Sequence, residues 1–208
     1  MPRPASPPQP ASEILADLPL LEPTPTAWPA LAAANLPVFL SDHAVCEQQA
    51  ALSALSLIGQ YPGDPELVER MSALAAEEIS HLRRVLALLH RRGWKPAGRR
   101  PNPWAKALRD RIATGAEPAQ KVDRLLVGAL IEARSCERFT LLHDATDDSE
   151  LRALLHDLGP AEKRHWQLFH QLAARALPAA ELEERWRGWL VFEAELARRG
   201  GVAPTVHG

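Results

Sequence analysis

The sequence contains few cysteines and no long apolar run. With two cysteines among 208 residues, Cys46 and Cys136, it has no disulfide framework, and both are expected to be small core residues. No apolar run approaches the roughly 20 residues of a membrane-spanning helix, and the N-terminus lacks the apolar core of a signal peptide. No segment alternates like a β-strand, and no motif for a flavin or nicotinamide is present. These absences predict one soluble, all-α domain in a reducing cytoplasm, without membrane contact.

Proline is concentrated at one end of the chain. Nine of the 19 prolines lie in residues 1–30, which predicts an extended or partly disordered segment with at most a short helix near Ser12–Leu18. Residues 31–200 are then expected to form the folded domain. Hydrophobic residues make up 46% of the chain and charged residues 24%, which is enough for a sizeable core.

Turn residues divide the rest of the chain into helices. One breaker is Tyr61-Pro62-Gly63-Asp64-Pro65, and another runs from Asp144 to Ser149, the predicted N-cap of the helix that follows. The predicted helices are Leu36–Gln60, Pro65–Arg92, a short one at Trp104–Thr114, Pro118–Asp144, Ser149–Ala176 and Ala179–Arg199. The last helix should pack on the outside of the bundle through its aromatic residues, Trp186, Trp189 and Phe192.

One metal-binding pattern occurs twice. Glu47 precedes Glu78-Ile-Ser-His81 by 31 residues, and Glu132 precedes Glu162-Lys-Arg-His165 by 30. A single Glu-x-x-His arises by chance on surface helices, whereas two copies with an upstream Glu at nearly equal spacing are specific. Four carboxylates and two imidazoles are the ligand set of a di-iron or di-manganese centre in a four-helix bundle.

Helical periodicity predicts that these ligands face inward. In steps of four and three, each copy lies on an otherwise apolar stripe: Leu67, Met71, Leu74, Glu78, His81, Val85, Leu88, and Leu151, Leu155, Leu158, Glu162, His165, Phe169, Leu172. A solvated helix face is the commoner explanation of Glu and His, but here it would place uncompensated charge in two core seams. A bound metal removes that cost.

Two other glutamates are less suitable as ligands. Glu77 lies off the apolar stripe, so Glu78 is the predicted ligand. Glu137 would shift the carboxylate by about 7.5 Å along the helix from Glu132, whereas the midpoint of Glu132 and Glu162 is residue 147, inside the connecting turn. Glu137 is therefore expected to pair with a neighbouring arginine or to line the pocket edge.

The two hairpins predict a ferritin-like four-helix bundle, with a long crossover between its second and third helices and an extra C-terminal helix. Glu47 and His81 should bind one metal and Glu132 and His165 the other, with Glu78 and Glu162 bridging. Oxygen-rich ligation favours iron or manganese, and a reduced di-iron pair can activate O2 to attack a C–H bond. Small residues beside the ligands either leave room for O2 and substrate or allow close helix packing: Ala44, Ala51, Ala54, Gly128 and Ala129.

Basic residues cluster between Arg83 and Arg111. Ten of the 24 lysines and arginines lie there, opposed only by Asp110. Such a local positive field favours phosphate contact, with a solvated loop as the alternative. Trp94 and Trp104 either stack on unpaired bases or fold onto the bundle. The candidate phosphate-binding residues are Arg83, Arg84, Arg91, Arg92, Lys95, Arg99, Arg100 and Lys106.

Four segments resemble the MiaE family of tRNA hydroxylases: Leu40-Ser-Asp-His-Ala-Val-Cys-Glu47, Glu77-Glu-Ile-Ser-His-Leu82, Gly128-Ala-Leu-Ile-Glu-Ala-Arg-Ser-Cys-Glu-Arg-Phe139 and Glu162-Lys-Arg-His-Trp166. The resemblance covers residues 30–200. It implies an O2-dependent, non-haem di-iron monooxygenase that hydroxylates the isopentenyl group of 2-methylthio-N6-isopentenyladenosine next to the anticodon of tRNA.

The resemblance also implies cofactors and partners. Two iron ions would be held by the six residues named above, with the four glutamates acting in catalysis through the metals. The tRNA anticodon arm would be the partner, and an external reductase would supply electrons to a monomeric enzyme. Two alternatives remain open: a ferritin-like ferroxidase or peroxidase without an organic substrate, and a metal-stabilised, non-catalytic RNA-binding scaffold.

Overall fold

The computed structural model describes residues 11–98, 101–115, 117–200 and 202–207. Within these ranges the chain forms helices and no β-strand, and no helix is long and apolar enough to cross a membrane. The helices are α1 (Ala11–Ala16), α2 (Trp28–Ala33), α3 (Leu36–Gln60), α4 (Pro65–Arg91), α5 (Pro103–Asp110), α6 (Ala119–Ala145), α7 (Ser149–Ala174) and α8 (Ala179–Arg199).

The long helices begin and end close to the predicted residues, and aspartate side chains cap the start of two of them, α4 and α7. The Asp64 carboxylate accepts a hydrogen bond from the Leu67 amide at the start of α4, over 3.1 Å. Asp148 does the same for the Leu151 amide of α7, over 3.0 Å. The prediction that Ser149 caps α7 is therefore wrong by one residue: a carboxylate stands one position earlier and also suits the positive end of the helix dipole.

Two antiparallel hairpins, α3–α4 and α6–α7, build the bundle, and α5 lies in the connection between them. Its apolar core is divided into two clusters along the bundle axis. One contains Met71, Leu125 and Phe169, and the other contains Phe39, Val85 and Leu155, each with its neighbours on adjacent helices. The residues between these clusters in sequence carry the Glu and His pattern, so the predicted ligands lie in a polar layer inside an apolar bundle.

Both ends of the described chain pack against the bundle. Trp28 is fully buried, and its indole Nε1 donates to the Thr205 carbonyl over 3.1 Å. The Thr24 amide donates to Glu137 Oε1 over 2.9 Å. The short helix expected near Ser12–Leu18 corresponds to α1, whereas α2, which begins at Trp28, is a second helix that was not predicted. Residues 1–10 lie outside the described part, and a domain boundary at residue 30 stays a prediction.

The extra C-terminal helix packs on α6 and α7 through its aromatic side chains, as predicted. Trp186 and Trp189 are buried in the first apolar cluster, and Phe192 is partly buried against it. The Trp189 indole donates to Asp123 Oδ1 of α6 over 2.8 Å. This bond satisfies a buried polar atom and fixes the position of α8 on the outside of the four-helix bundle.

Candidate metal centre

Six side chains from four helices meet in the polar layer. Glu47 comes from α3, Glu78 and His81 from α4, Glu132 from α6, and Glu162 and His165 from α7. Each is buried, and none exposes more than 5% of its surface. These are the six residues that the sequence pattern selected, and the structure brings all of them together.

The six residues form two overlapping groups. One contains Glu47, Glu78, His81 and Glu162, and the other contains Glu78, Glu132, Glu162 and His165. In each group the candidate ligand atoms lie within 4.8 Å of one another. Glu78 and Glu162, the two residues predicted to bridge the metals, are the ones that belong to both groups.

Both imidazoles turn Nδ1 toward the carboxylates. His81 Nδ1 lies 3.3 Å from Glu78 and 3.6 Å from Glu47. His165 Nδ1 lies 2.9 Å from Glu78 and 3.8 Å from Glu132. Because both rings approach the cluster through the same nitrogen, each Nε2 is left facing outward from the cluster.

Burial and neighbouring charges shift the pKa values of the clustered side chains. Burial, reinforced by the carboxylates of Glu132 and Glu78, raises the pKa of Glu162 well above its usual value. Burial also raises the pKa of Glu47, against the opposing hydrogen bond from His43. Burial disfavours a charged His81, yet its contacts with Glu47 and Glu78 raise its pKa to about 9. The site thus concentrates negative charge that attracts protons or cations.

The donor set fits two divalent metal ions. Buried polar atoms are normally hydrogen-bonded, but Glu78 Oε1, Glu162 Oε1 and both ring nitrogens of His165 have no well-aligned hydrogen bond within the described ranges. Four carboxylates would balance the charge of two divalent cations. Carboxylate oxygen and imidazole nitrogen are ligands that first-row metals such as iron and manganese accept.

A cavity of about 770 Å³ connects the cluster to the protein surface. Glu47, Glu78, Glu132 and Glu162 lie at its inner end, and much of the intervening wall is apolar, with Leu57, Val127, Ile131, Phe139 and Phe169. Exposed lining residues mark its opening between α3 and α5: Ser53, Gln60, Lys106 and Arg109. Of the small residues beside the ligands, Gly128 lines this cavity, whereas Ala44, Ala51, Ala54 and Ala129 are buried in helix packing.

The predicted basic stretch separates into two faces. Three arginines in the last turns of α4 or just after it pair with acids in or just before α7: Arg84 with Asp157 over 2.7 Å, Arg91 with Glu150 over 3.1 Å, and Arg92 with Asp148 over 2.6 Å. These three, with Arg83 and Lys95, are absent from the cavity wall, while Lys106 is part of it. Arg99 and Arg100 lie outside the described residues.

Two basic residues that line the cavity were missing from the predicted set of phosphate-binding residues. Arg109 and Arg124 lie in the cavity wall with Lys106.

The two tryptophans of the basic stretch pack against other side chains of the protein. The Arg92 guanidinium lies 5.2 Å from the Trp94 ring, and Trp104 stacks on His207 with ring centres 5.0 Å apart. Both tryptophans pack on the apolar clusters, so the second of the two expectations for them is the correct one.

Two histidines near the cluster were not predicted. His43 Nε2 lies 2.5 Å from Glu47 Oε1 and is fully buried. Its position one helical turn before Glu47 was a signal that could have been used. His207 lines the cavity and lies 3.0 Å from Ser135 Oγ. It follows α8 in irregular chain, where no periodicity indicates which way a side chain faces.

The fold and the site define a ferritin-like four-helix bundle with a paired carboxylate–histidine centre. A family model described as tRNA-(MS[2]IO[6]A)-hydroxylase (MiaE) matches residues 14–208. The chain belongs to the MiaE family.

Two curated relatives and one solved structure extend this comparison. A tRNA 2-(methylsulfanyl)-N(6)-isopentenyladenosine(37) hydroxylase of Pseudomonas putida is 44% identical over 151 residues, covering 73% of each chain. A protein of the same name from Salmonella typhimurium is 30% identical, covering 84% of this chain and 82% of its own. The structure of "Protein 43 with aldehyde deformylating oxygenase activity" from Synechococcus is 34% identical, with a TM-score of 0.86 over 91% of this chain and 95% of that one.

Proposed function

We propose that this protein is a di-iron monooxygenase that hydroxylates the isopentenyl group of 2-methylthio-N6-isopentenyladenosine next to the anticodon of tRNA. The observation that carries the proposal is the cavity of about 770 Å³ that runs from the surface to the buried carboxylate–histidine cluster. Family membership and the names of the two curated relatives support the choice of substrate.

Six residues would hold the two iron ions. Glu47 and His81 would hold one ion and Glu132 and His165 the other, and Glu78 and Glu162 would be available to both, as their membership of both groups supports. When bound, the reduced iron pair supplies O2 activation for insertion of an oxygen atom into a C–H bond. The surrounding bundle buries the six side chains, and a substrate seated in the cavity would close the remaining path for bulk water.

The cavity suits an apolar group attached to a polar base. Its inner wall offers Val127, Phe139 and Phe169 to the prenyl group, and burial of that group supplies binding energy close to the metals. The exposed and polar residues at the opening are placed to meet the base and its neighbours. The prenyl carbons would thereby be directed to the inner end of the cavity, where oxygen is inserted.

The cavity opening is also the proposed site of tRNA contact. Lys106 and Arg109 lie at the opening and Arg124 lies in the cavity wall, so a base inserted in the cavity would bring phosphates of the anticodon arm to Lys106 and Arg109. Arg83, Lys95 and the paired arginines of α4 lie away from the cavity wall and would add only to the surrounding positive field. An external reductase would provide electrons, and the enzyme would act in the cytoplasm as a monomer.

The test is hydroxylation of prenylated tRNA in vitro. Iron-loaded protein supplied with a chemical reductant and O2 should add one oxygen atom to the isopentenyl group, as measured by mass spectrometry of the nucleosides. The Glu132→Ala variant should bind tRNA but lose the product, which separates a catalyst from an RNA-binding scaffold. Unchanged tRNA with the loaded wild-type protein would refute the proposal.

Parallel reactions separate the other oxygenase and iron chemistries. The Synechococcus structure is named for aldehyde deformylating oxygenase activity, so a long-chain aldehyde is the second substrate to offer. A ferroxidase would consume Fe²⁺ and O2 without any organic substrate. Activity in one of these reactions, together with unchanged prenylated tRNA, would reassign the function of the centre.

A further inference from the structure

Glu77 lies on the outer side of both histidines. Its Oε2 is 3.2 Å from His165 Nε2, and its Oε1 is 3.9 Å from His81 Nε2. The two imidazole rings are nearly parallel, with centres 5.9 Å apart and an interplanar angle of 29°. A single carboxylate therefore approaches the outward nitrogen of each ring, while the inward Nδ1 atoms face the cluster.

Helix geometry explains why Glu77 can reach both rings without joining the cluster. It precedes His81 by four residues on α4, so the two side chains share one face of the helix. Its neighbour Glu78 is turned about 100° around the axis and points into the bundle. The Glu77 side chain remains 39% exposed, whereas that of Glu78 is 1% exposed. Glu77 thus stands at the solvent edge of the site.

We propose that Glu77 is a positioning residue for the metal centre: its carboxylate faces the outer nitrogens of both rings, 3.2 Å from His165 Nε2 and 3.9 Å from His81 Nε2, and its charge favours the orientation with Nδ1 toward the metals. The proposal rests on the metal centre of the proposed function, but it does not depend on the substrate. A carboxylate behind a ligating imidazole fixes the ring tautomer and orientation and raises its basicity. Here one carboxylate would do so for the histidines of both metal positions.

A second contact of Glu77 offers a purely structural alternative. Arg164 of α7 donates to Glu77 Oε1 over 2.8 Å, so Glu77 could serve only to tie α4 to α7. The two roles predict different effects of removing the Arg164 side chain. If the ion pair alone matters, removal of either partner has the same effect. If Glu77 acts on the histidines, loss of Arg164 leaves the essential contacts in place.

The experiment measures Fe²⁺ affinity under anaerobic conditions by competition with a chelator. Substitution of second-layer ligand partners typically lowers metal affinity 10–100-fold, and Glu77→Ala is expected to fall in that range. Glu77→Gln keeps an oxygen that can accept an imidazole N–H and should recover part of the loss. Arg164→Ala should change the affinity by less than about threefold, since surface ion pairs contribute little.

A matched control is available on the same helix. Glu66 of α4 pairs with Arg175 beyond the end of α7 over 3.2 Å and is 46% exposed, so Glu66→Ala removes a similar surface ion pair far from the histidines. Melting temperatures of the metal-free variants check that each one folds. Wild-type affinity in Glu77→Ala, or an equal loss in Arg164→Ala, would overturn the proposal.

The substrate assignment is tested separately from this inference. A wild-type protein that binds two iron ions but leaves prenylated tRNA unchanged would refute the proposed substrate, while the affinities of the Glu77 variants would still decide the positioning role. A wild-type protein that binds no pair of metal ions would overturn both proposals.

Discussion

Gly128 of α6 and the ring of Phe169 in α7 meet so closely that a β-carbon at position 128 would lie 2.9 Å from Cδ1 and Cε1 of that ring. Both residues line the cavity. Gly128 lies one helical turn before Glu132, and Phe169 lies one turn after His165. Glycine at this position therefore sets the shape of the cavity wall next to two candidate ligands.

The Gly128→Ala substitution should reshape the inner cavity. Its β-carbon must displace the Phe169 ring, and overpacking of this kind costs about 1–3 kcal/mol, or several degrees of melting temperature in a protein of this size. We expect slower hydroxylation with unchanged iron stoichiometry, measured as turnover and as bound metal per chain. The control is Gly59→Ala in α3, where no atom lies within 4 Å of the added carbon. Wild-type turnover and stability in Gly128→Ala would contradict this role.

Metal removal should destabilise the protein, and more strongly at high pH. The metal-free fold binds protons at Glu162, whose pKa is raised by burial and by Glu132 and Glu78. The metal-free fold also binds a proton at His81. Burial alone would lower the pKa of His81, but its contacts with Glu47 and Glu78 outweigh burial and raise that pKa from 6.5 to about 9. A group whose pKa is raised by folding stabilises the folded state at low pH, and this stabilisation is lost as the pH rises through the folded-state pKa. The free energy of unfolding of the metal-free protein should therefore fall between pH 6 and pH 9.

Metal binding has the opposite pH dependence, because its ligands must be deprotonated. Burial would raise the pKa of Glu78, but its contacts with His165 and His81 outweigh burial and lower that pKa. Glu78 therefore adds no pH dependence between pH 6 and pH 9, because it is ionised in both the folded and the unfolded protein. The melting-temperature difference between Fe²⁺-loaded and metal-free protein should therefore widen from pH 6 to pH 9, as measured by differential scanning fluorimetry. A constant or narrowing difference would argue against an interior site.

The meeting of the six candidate ligands could be predicted because each half of the pattern lies within one helical hairpin. A period of seven residues fixed which side of α4 and of α7 faces inward, and equal spacing from a turn set Glu132 rather than Glu137 at the level of the other ligands. Glu137 pairs with Arg134 instead, over 2.5 Å, as expected. Helix periodicity and hairpin geometry depend only on residues within one helix or one hairpin, and therefore both can be applied to a sequence alone.

The burial of the other face of α6 could not be predicted in this way. Arg134 and Arg138 look like a solvated helix face, yet both are buried. Arg138 donates to the Val206 carbonyl over 2.9 Å, and Arg134 donates to the Glu22 carbonyl over the same distance. These partners are 68 and 112 residues away in sequence. Charged residues are buried here because distant chain ends cover them, and no local pattern contains that information.

The prediction for the basic stretch contained the opposite error. It assumed that basic residues close together in sequence also lie close together in space. Residues 83–111 form one run of positive charge, but α4 directs Arg84 and Arg91 to acids of α7 while α5 brings Lys106 to the cavity opening. Helix direction, rather than position in the run, decides which cation can meet a phosphate beside the cavity.

Arg134 should be essential for stability. It is 2% exposed and lies 2.6 Å from Glu193, which is fully buried, and 2.5 Å from Glu137. Arg134→Ala would leave the Glu193 carboxylate buried without its cation, and removal of one partner of a buried pair costs about 3–5 kcal/mol. Urea unfolding should show this loss. Arg187→Ala, which breaks an exposed pair with Glu183, should cost far less, and similar losses in the two variants would contradict the argument.

Lys106 and Arg109 should contribute more to tRNA affinity than the arginines of α4. Both are exposed and line the cavity opening, and the contact of Lys106 with Asp110 is a surface pair that a phosphate can replace. Each alanine substitution should weaken binding of prenylated and unprenylated anticodon stem-loops equally. It should also reduce the slope of log affinity against log salt by about one.

The control for this prediction is supplied by Arg84 and Arg91, which are as basic but are paired with Asp157 and Glu150. Their alanine variants should retain nearly the wild-type affinity and salt slope, measured by fluorescence anisotropy at several salt concentrations. If instead these variants lose the salt dependence and Lys106→Ala keeps it, the anticodon arm lies across α4 and α7. A base would then have to reach the metal centre by another route than the cavity between α3 and α5, so the salt slopes also test the proposed path of the substrate.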